Sequence, residues 1–171
     1  MLFSLTMLLA YHFFNVYMDV RYRITKNIWH ALFLAGGTAV FLNKGGHWIP
    51  YLSLTVLSLV FGLFLESVKI NAAGDTKMCV ATSVWLGVFT KESPYITVVA
   101  LYVGYIFFIL FVSYLLLIKK KGLKWTVRNQ LYDFRSLILR TPLSEEKVME
   151  RFPGAVAILF ATILSSYYLI L

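Results

Sequence analysis

The sequence predicts an all-α membrane protein: a polytopic bundle of six transmembrane helices, with a basic cytoplasmic loop between the fifth and the sixth. Three observations carry that expectation. Hydrophobic residues make up 60% of the 171 and charged residues only 14%, against roughly 25% charged in a soluble domain. Six apolar runs approach the length of about 20 residues that crosses a bilayer. The basic residues between those runs fall almost wholly on one side. Six spans leave no room for a second folded domain, so residues 1–171 are expected to form one membrane-embedded domain.

Taken in order, the runs are 1–18, 28–42, 49–65, 78–90, 95–118 and 153–171. The first has no basic residue ahead of it and no small-residue cleavage site, so it is expected to be a retained helix and not a signal peptide. The fourth is short, and its start takes in Thr76 and Lys77. Pro94 suits the first turn of the fifth, where a missing N–H costs nothing. Arg21, Arg23 and Lys26 follow the first run, Lys69 and Lys77 the third, and nine more, from Lys119 to Arg151, the fifth. Fourteen basic residues thus share one face, against Lys44 and Lys91 on the other. The positive-inside rule puts the fourteen in the cytoplasm and both termini outside.

The loop 119–152 is the one sizeable extramembrane piece. Val127, Leu131, Phe134 and Ile138 recur in it at helical spacing, with Arg128, Arg135 and Arg140 around them. That is the pattern of a basic amphipathic helix lying among headgroups. Ser144, followed by Glu145 and Glu146, has the form of a capped helix start. The loop reads either as a lipid-bound connector or as a docking surface for substrate. No nucleic-acid motif is present, so the net charge of +8 points to topology and anionic lipid. The single cysteine, Cys79, excludes an intramolecular disulfide and a cysteine-only zinc site. Within an apolar run it reads as packing.

Of the eight acids, Glu92 falls on the outer side, and Asp133, Glu145, Glu146 and Glu150 belong to the long loop. Asp19, Glu66 and Asp75 remain at the cytoplasmic ends of spans. Acids at bilayer depth cost roughly 2.5–3.5 kcal/mol each, so they need a reason. Asp75 has a structural one: it suits the amino end of the fourth helix, where it meets free N–H groups and the favourable end of the dipole. Asp19 stands at the opposite, disfavoured end of the first helix, with Arg21 and Arg23 near enough in sequence to compensate it. Glu66 reads as an interfacial anchor.

His12, Asn15 and Asp19 fall within an arc of roughly 60° on the first helix. A polar stripe in a membrane helix normally faces the bundle interior. His12 and Asn15 read as interhelical hydrogen-bonders, and the stripe turns Asp19 towards Asp75.

Two aspartates on one membrane face, carried by different helices, suggest a chemistry. Carboxyls brought together repel, so that one keeps its proton while the other ionises. The ionised member takes a proton from water, and the protonated one polarises a carbonyl and later protonates the leaving amine. Neither a metal nor a covalent intermediate enters, and no cofactor is expected. There is no H-E-x-x-H helix, and His12, His30 and His47 are scattered, which argues against a zinc protease. No G-x-S-x-G is present, and no glycine-rich phosphate loop. A non-enzymatic alternative remains: a small membrane scaffold or proton-binding transporter subunit whose aspartates cap helices.

"DVRYRITKN" (19–27) resembles the first active-site motif of the type IV prepilin peptidases, an aspartate followed by basic residues, an isoleucine and an asparagine. "AAGDTKM" (72–78) is similar to their second, Gly-x-Gly-Asp-x-Lys and an aliphatic residue, and "RFPGAVAILFATIL" (151–164) resembles the start of their last helix. The likeness covers essentially the whole chain, though only the first two motifs are specific. It implies an aspartic endopeptidase with Asp19 and Asp75 as the catalytic pair and Gly74, Lys77 and Asn27 in support. Ala72 replaces the usual first glycine, and Lys26 stands where a proline commonly precedes the asparagine. These departures bear on the local backbone and leave the aspartates in place.

Larger family members carry an amino-terminal extension with paired cysteine motifs and also methylate the new amino terminus. With Asp19 so early and only Cys79, the resemblance implies the short, peptidase-only type, as used for tight-adherence pili or archaeal preflagellins. The implied substrate is a prepilin-like protein with a short basic leader, cut at the cytoplasmic face of a bacterial inner or archaeal plasma membrane. Family substrates favour an acidic residue soon after the cut, which Lys77 or Arg23 is available to meet. Pairing with the aspartates or with lipid phosphate would occupy those cations equally well. A presenilin-like protease is a poorer fit, since the one Tyr-Asp pair, Tyr132-Asp133, follows Asp75 and lies in the polar loop.

Overall fold

The structure, a computed structural model, describes residues 2–22, 27–68, 70–90, 92–139 and 152–170, with side chains at all of these except 2, 133, 134, 136–139 and 170. Arg23, Lys26, Lys69, Lys91, Arg140, Lys147 and Arg151 lie outside them, as does the helix start expected at Ser144, Glu145 and Glu146. Among the described residues the chain is all-helical: α1 (Leu2–Tyr22), α2 (Asn27–Asn43), α3 (Trp48–Ser67), α4 (Ala73–Gly87), α5 (Pro94–Lys121), α6 (Leu123–Leu139) and α7 (Gly154–Ile170). These form two units. One joins Met1–Phe108 to Pro153–Leu171, and the other is Ile109–Phe152.

Two helices, α3 and α5, are long and apolar enough to cross a membrane by length and composition, and α7 is apolar but shorter. α1 has 21 residues, but its polar stripe lowers its mean hydropathy. α2 and α4 have 17 and 15 residues, below the length of about 20 that spans a bilayer unaided.

The first unit is organised around α4, which packs against α1, α2, α3 and α7. Every residue from Met78 to Leu86 is buried, and so is Thr76. A helix that is apolar or small all round has no face to give to solvent, so it becomes the core. Gly62 of α3 lies directly over Thr76, and a Cβ there would collide with the threonine methyl, so the absent side chain sets how closely α3 and α4 approach. On the α2 side the Trp85 indole donates to the Phe33 carbonyl at 2.9 Å. Tyr11, Phe33 and Trp85 stack with centroid separations of 3.7 and 4.7 Å, tying α1, α2 and α4 together. Polar side chains join helices elsewhere in the core. Tyr102 of α5 donates to the Ser58 carbonyl at 2.6 Å, and Ser83 of α4 donates to the Ser58 hydroxyl at 3.0 Å.

Helix ends follow local chemistry. Pro94 is the first residue of α5. α4 starts five residues ahead of the apolar run expected at 78, because Asp75 bonds to the backbone at its start. It stops at Gly87, and Val88, Phe89 and Thr90 leave by turn-type bonds to Trp85 and Leu86.

In the second unit α5 gives way to α6 at Gly122, whose φ of 84° is a left-handed conformation costing other residues roughly 1–2 kcal/mol. Its N–H bonds to the Ile118 carbonyl at 2.8 Å, and its own carbonyl accepts from Thr126. On α6, Thr126 is buried, whereas Leu123, Val127 and Leu131 are exposed. Phe134 and Ile138 belong to the same helix, with side chains outside the description.

Candidate active site

The site is assembled from the end of α1, the start of α4 and the start of α7, all in the first unit. On α1 the polar stripe is turned into the core: His12 and Asn15 are fully buried. His12 Nε2 meets the hydroxyls of Thr162 at 3.1 Å and Thr82 at 3.4 Å, so one imidazole links α1 to α7 and to α4. Asn15 donates to the Tyr11 carbonyl at 2.8 Å within α1. This phasing carries Asp19, one turn further on, inward. Its Oδ2 accepts the N–H of Ala155, the second residue of α7, at 3.2 Å. A carboxylate there satisfies one of the unpaired donors of a helix start and meets the positive end of its dipole.

Asp75 stands in the first turn of α4. Its Oδ2 accepts the Ala72 N–H at 3.1 Å, and its own N–H donates to the Ala72 carbonyl at 2.9 Å. Ala72 has no side-chain acceptor, so this is one half of a capping box. On its other side the Asp75 carboxyl lies against Gly154, the first residue of α7, where a Cβ would collide with it. Asp19 and Asp75 therefore both reach the first two residues of α7, Gly154 and Ala155, and their charges act on one another. Both are half-buried.

The side chains of Glu66, at the end of α3, and of the fully buried Tyr105 of α5 also bear on the Asp75 carboxyl. The Tyr105 hydroxyl falls short of a formed hydrogen bond, which makes it a neighbour rather than a partner.

Other residues singled out in the sequence are placed as follows. Lys77 donates to Asn27 Oδ1 at 2.8 Å, joining the start of α4 to the start of α2 at the exposed edge of the site. Gly74 is half-buried in the first turn of α4. Arg23 lies outside the described residues. Sequence reasoning set Glu66 apart as an anchor, yet its charge reaches Asp75 from the end of α3. It missed Tyr105 and the part played by Gly154. The cue for Tyr105 was faint: a polar-tipped residue one turn after Tyr102 in an otherwise apolar run. Among the described residues no group of three or more His, Cys, Asp or Glu is arranged to hold a metal ion.

Comparison of the chain with protein-family models, with curated proteins and with solved structures found no match.

Proposed function

We propose that the chain is a membrane aspartic endopeptidase that removes the short basic leader from prepilin-like precursors: type IV pilins, pseudopilins or preflagellins. The observation that carries the reading is the meeting of Asp19 and Asp75, from helices far apart in sequence, at Gly154–Ala155. The likeness of 19–27 and 72–78 to the two prepilin-peptidase motifs supplies the substrate class. In this reading α1, α2, α3, α4, α5 and α7 are the six spans, both termini are outside, and the aspartates lie at the cytoplasmic face of a bacterial inner or archaeal plasma membrane. There the substrate's basic leader is retained by the same charge rule.

The two carboxyls share one proton at working pH. The ionised member removes a proton from a water as its oxygen attacks the scissile carbonyl carbon. The protonated member donates a hydrogen bond to that carbonyl oxygen. When the C–N bond breaks, the leaving nitrogen takes a proton from the pair, which returns to its singly protonated state. The proton belongs to the pair, not to a named residue. Backbone N–H groups of Ala155 and Ala72 hold the two carboxyls in place by hydrogen bonds, and Lys77, held by Asn27, is the cation available to an acidic residue after the cut.

A second reading has its own support, since each aspartate makes a helix-end hydrogen bond: a membrane scaffold or proton-binding transporter subunit in which both acids are caps. Co-expression with a prepilin, read as a gel shift of the processed form, separates the two. The peptidase reading expects Asp19→Asn and Asp75→Asn each to abolish processing while the protein still accumulates in the membrane. Full processing by both variants would leave the scaffold reading standing.

A further inference from the structure

The peptidase reading does not use α6. Its packing within the second unit is one-sided: Thr126 is buried and Trp125 half-buried, while Leu123, Val127 and Leu131 stand exposed. At about 100° per residue these three lie within an arc of about 80°. Lys124, Arg128 and Arg135, all exposed, fall in the next arc of about 40°. A bare apolar row is thus bordered by a row of cations. Lys121 lies over the Trp125 ring at 5.0 Å, an aromatic–cation pairing typical of the headgroup zone. The helix is also delivered there by the chain: Lys119, Lys120 and Lys121 close the apolar run of α5, and α6 begins two residues later, beyond Gly122.

We propose that α6 is a surface for anionic lipid, its Leu123–Val127–Leu131 row inserted among acyl chains and its Lys124–Arg128–Arg135 row on phosphates. Charge complementarity selects this occupant. A zwitterionic layer would satisfy the apolar row alone and leave the neighbouring cations without a counter-charge, whereas a layer rich in phosphatidylglycerol satisfies both rows at once. The inference requires α5 to cross the membrane and is independent of any peptidase activity.

The test uses the full chain in lipid nanodiscs, with Cys79→Ser and a spin label on Leu131→Cys, and compares label accessibility to oxygen and to a water-soluble nickel chelate. In phosphatidylcholine discs containing phosphatidylglycerol the label is expected in the lipid. In pure phosphatidylcholine, or with Lys124→Gln, Arg128→Gln and Arg135→Gln combined, it is expected to shift towards water. At about fivefold per basic residue, the three changes together move the equilibrium by roughly a hundredfold. A label on Val103→Cys, exposed on α5, is expected to report the same environment throughout, which separates loss of α6 docking from loss of fold. The proposal is overturned by a label that stays in water in both lipids or penetrates both equally. Protection that appears only when a soluble protein is added overturns it too.

Discussion

Asp19 and Asp75 occupy opposite kinds of helix end. Asp75 sits in the first turn of its own helix and bonds to its own cap, Ala72, three residues back. Asp19 stands near the end of α1, where the dipole disfavours it, and takes its hydrogen bond from Ala155, 136 residues away. One acid is held by local chemistry and the other by the fold. Both reach the start of α7, whose first residue is a glycine, the one residue that leaves space for the Asp75 carboxyl. A helix end that satisfies itself tolerates changes elsewhere, whereas one satisfied across the fold depends on every helix that delivers its partner.

The sharpest test of that pairing removes the charges. Asp19→Asn and Asp75→Asn are each expected to lower prepilin cleavage by at least about 100-fold. Their stability costs are expected to be modest, about 1 kcal/mol or less, because an amide oxygen still accepts the backbone bond. Cleavage gels and thermal unfolding of the same preparations separate the two effects. If the acids act only as caps, the stability change appears and the cleavage change does not.

Next in size is Gly154→Ala. Its methyl collides with the Asp75 carboxyl, and overpacking of this kind costs roughly 1–3 kcal/mol. Cleavage is expected to fall at least about tenfold as the carboxyl is displaced. Gly104→Ala is the matched control, since its Cβ would meet Ala161 no closer than 3.4 Å. Equal behaviour of the two variants in a melting and activity series would remove Gly154 from the account of the site.

The smallest expected effect belongs to the exposed Lys77–Asn27 bond. A double-mutant cycle of Lys77→Met and Asn27→Ala is expected to return a coupling of about 0.5–1 kcal/mol. If the lysine also meets substrate, Lys77→Met lowers cleavage of precursors with an acidic residue after the cut more than of neutralised ones. An unchanged ratio limits Lys77 to joining α2 and α4.

The amino-acid sequence by itself determined those features whose causes lie within a few residues. Pro94 opens α5, Asp75 closes the start of α4 on Ala72, and the 3.6-residue period turns His12 and Asn15 inward and Asp19 with them. Only the tertiary structure decided that α4 is the helix surrounded on all sides, that Asp19 finds its donor on α7, and that Glu66, Tyr105 and Gly154 gather around Asp75. The physical reason is range. Caps and helical periodicity are set by bonds to near neighbours in the chain, whereas contacts across tens of residues arise only when whole helices pack, and no local pattern marks them in advance.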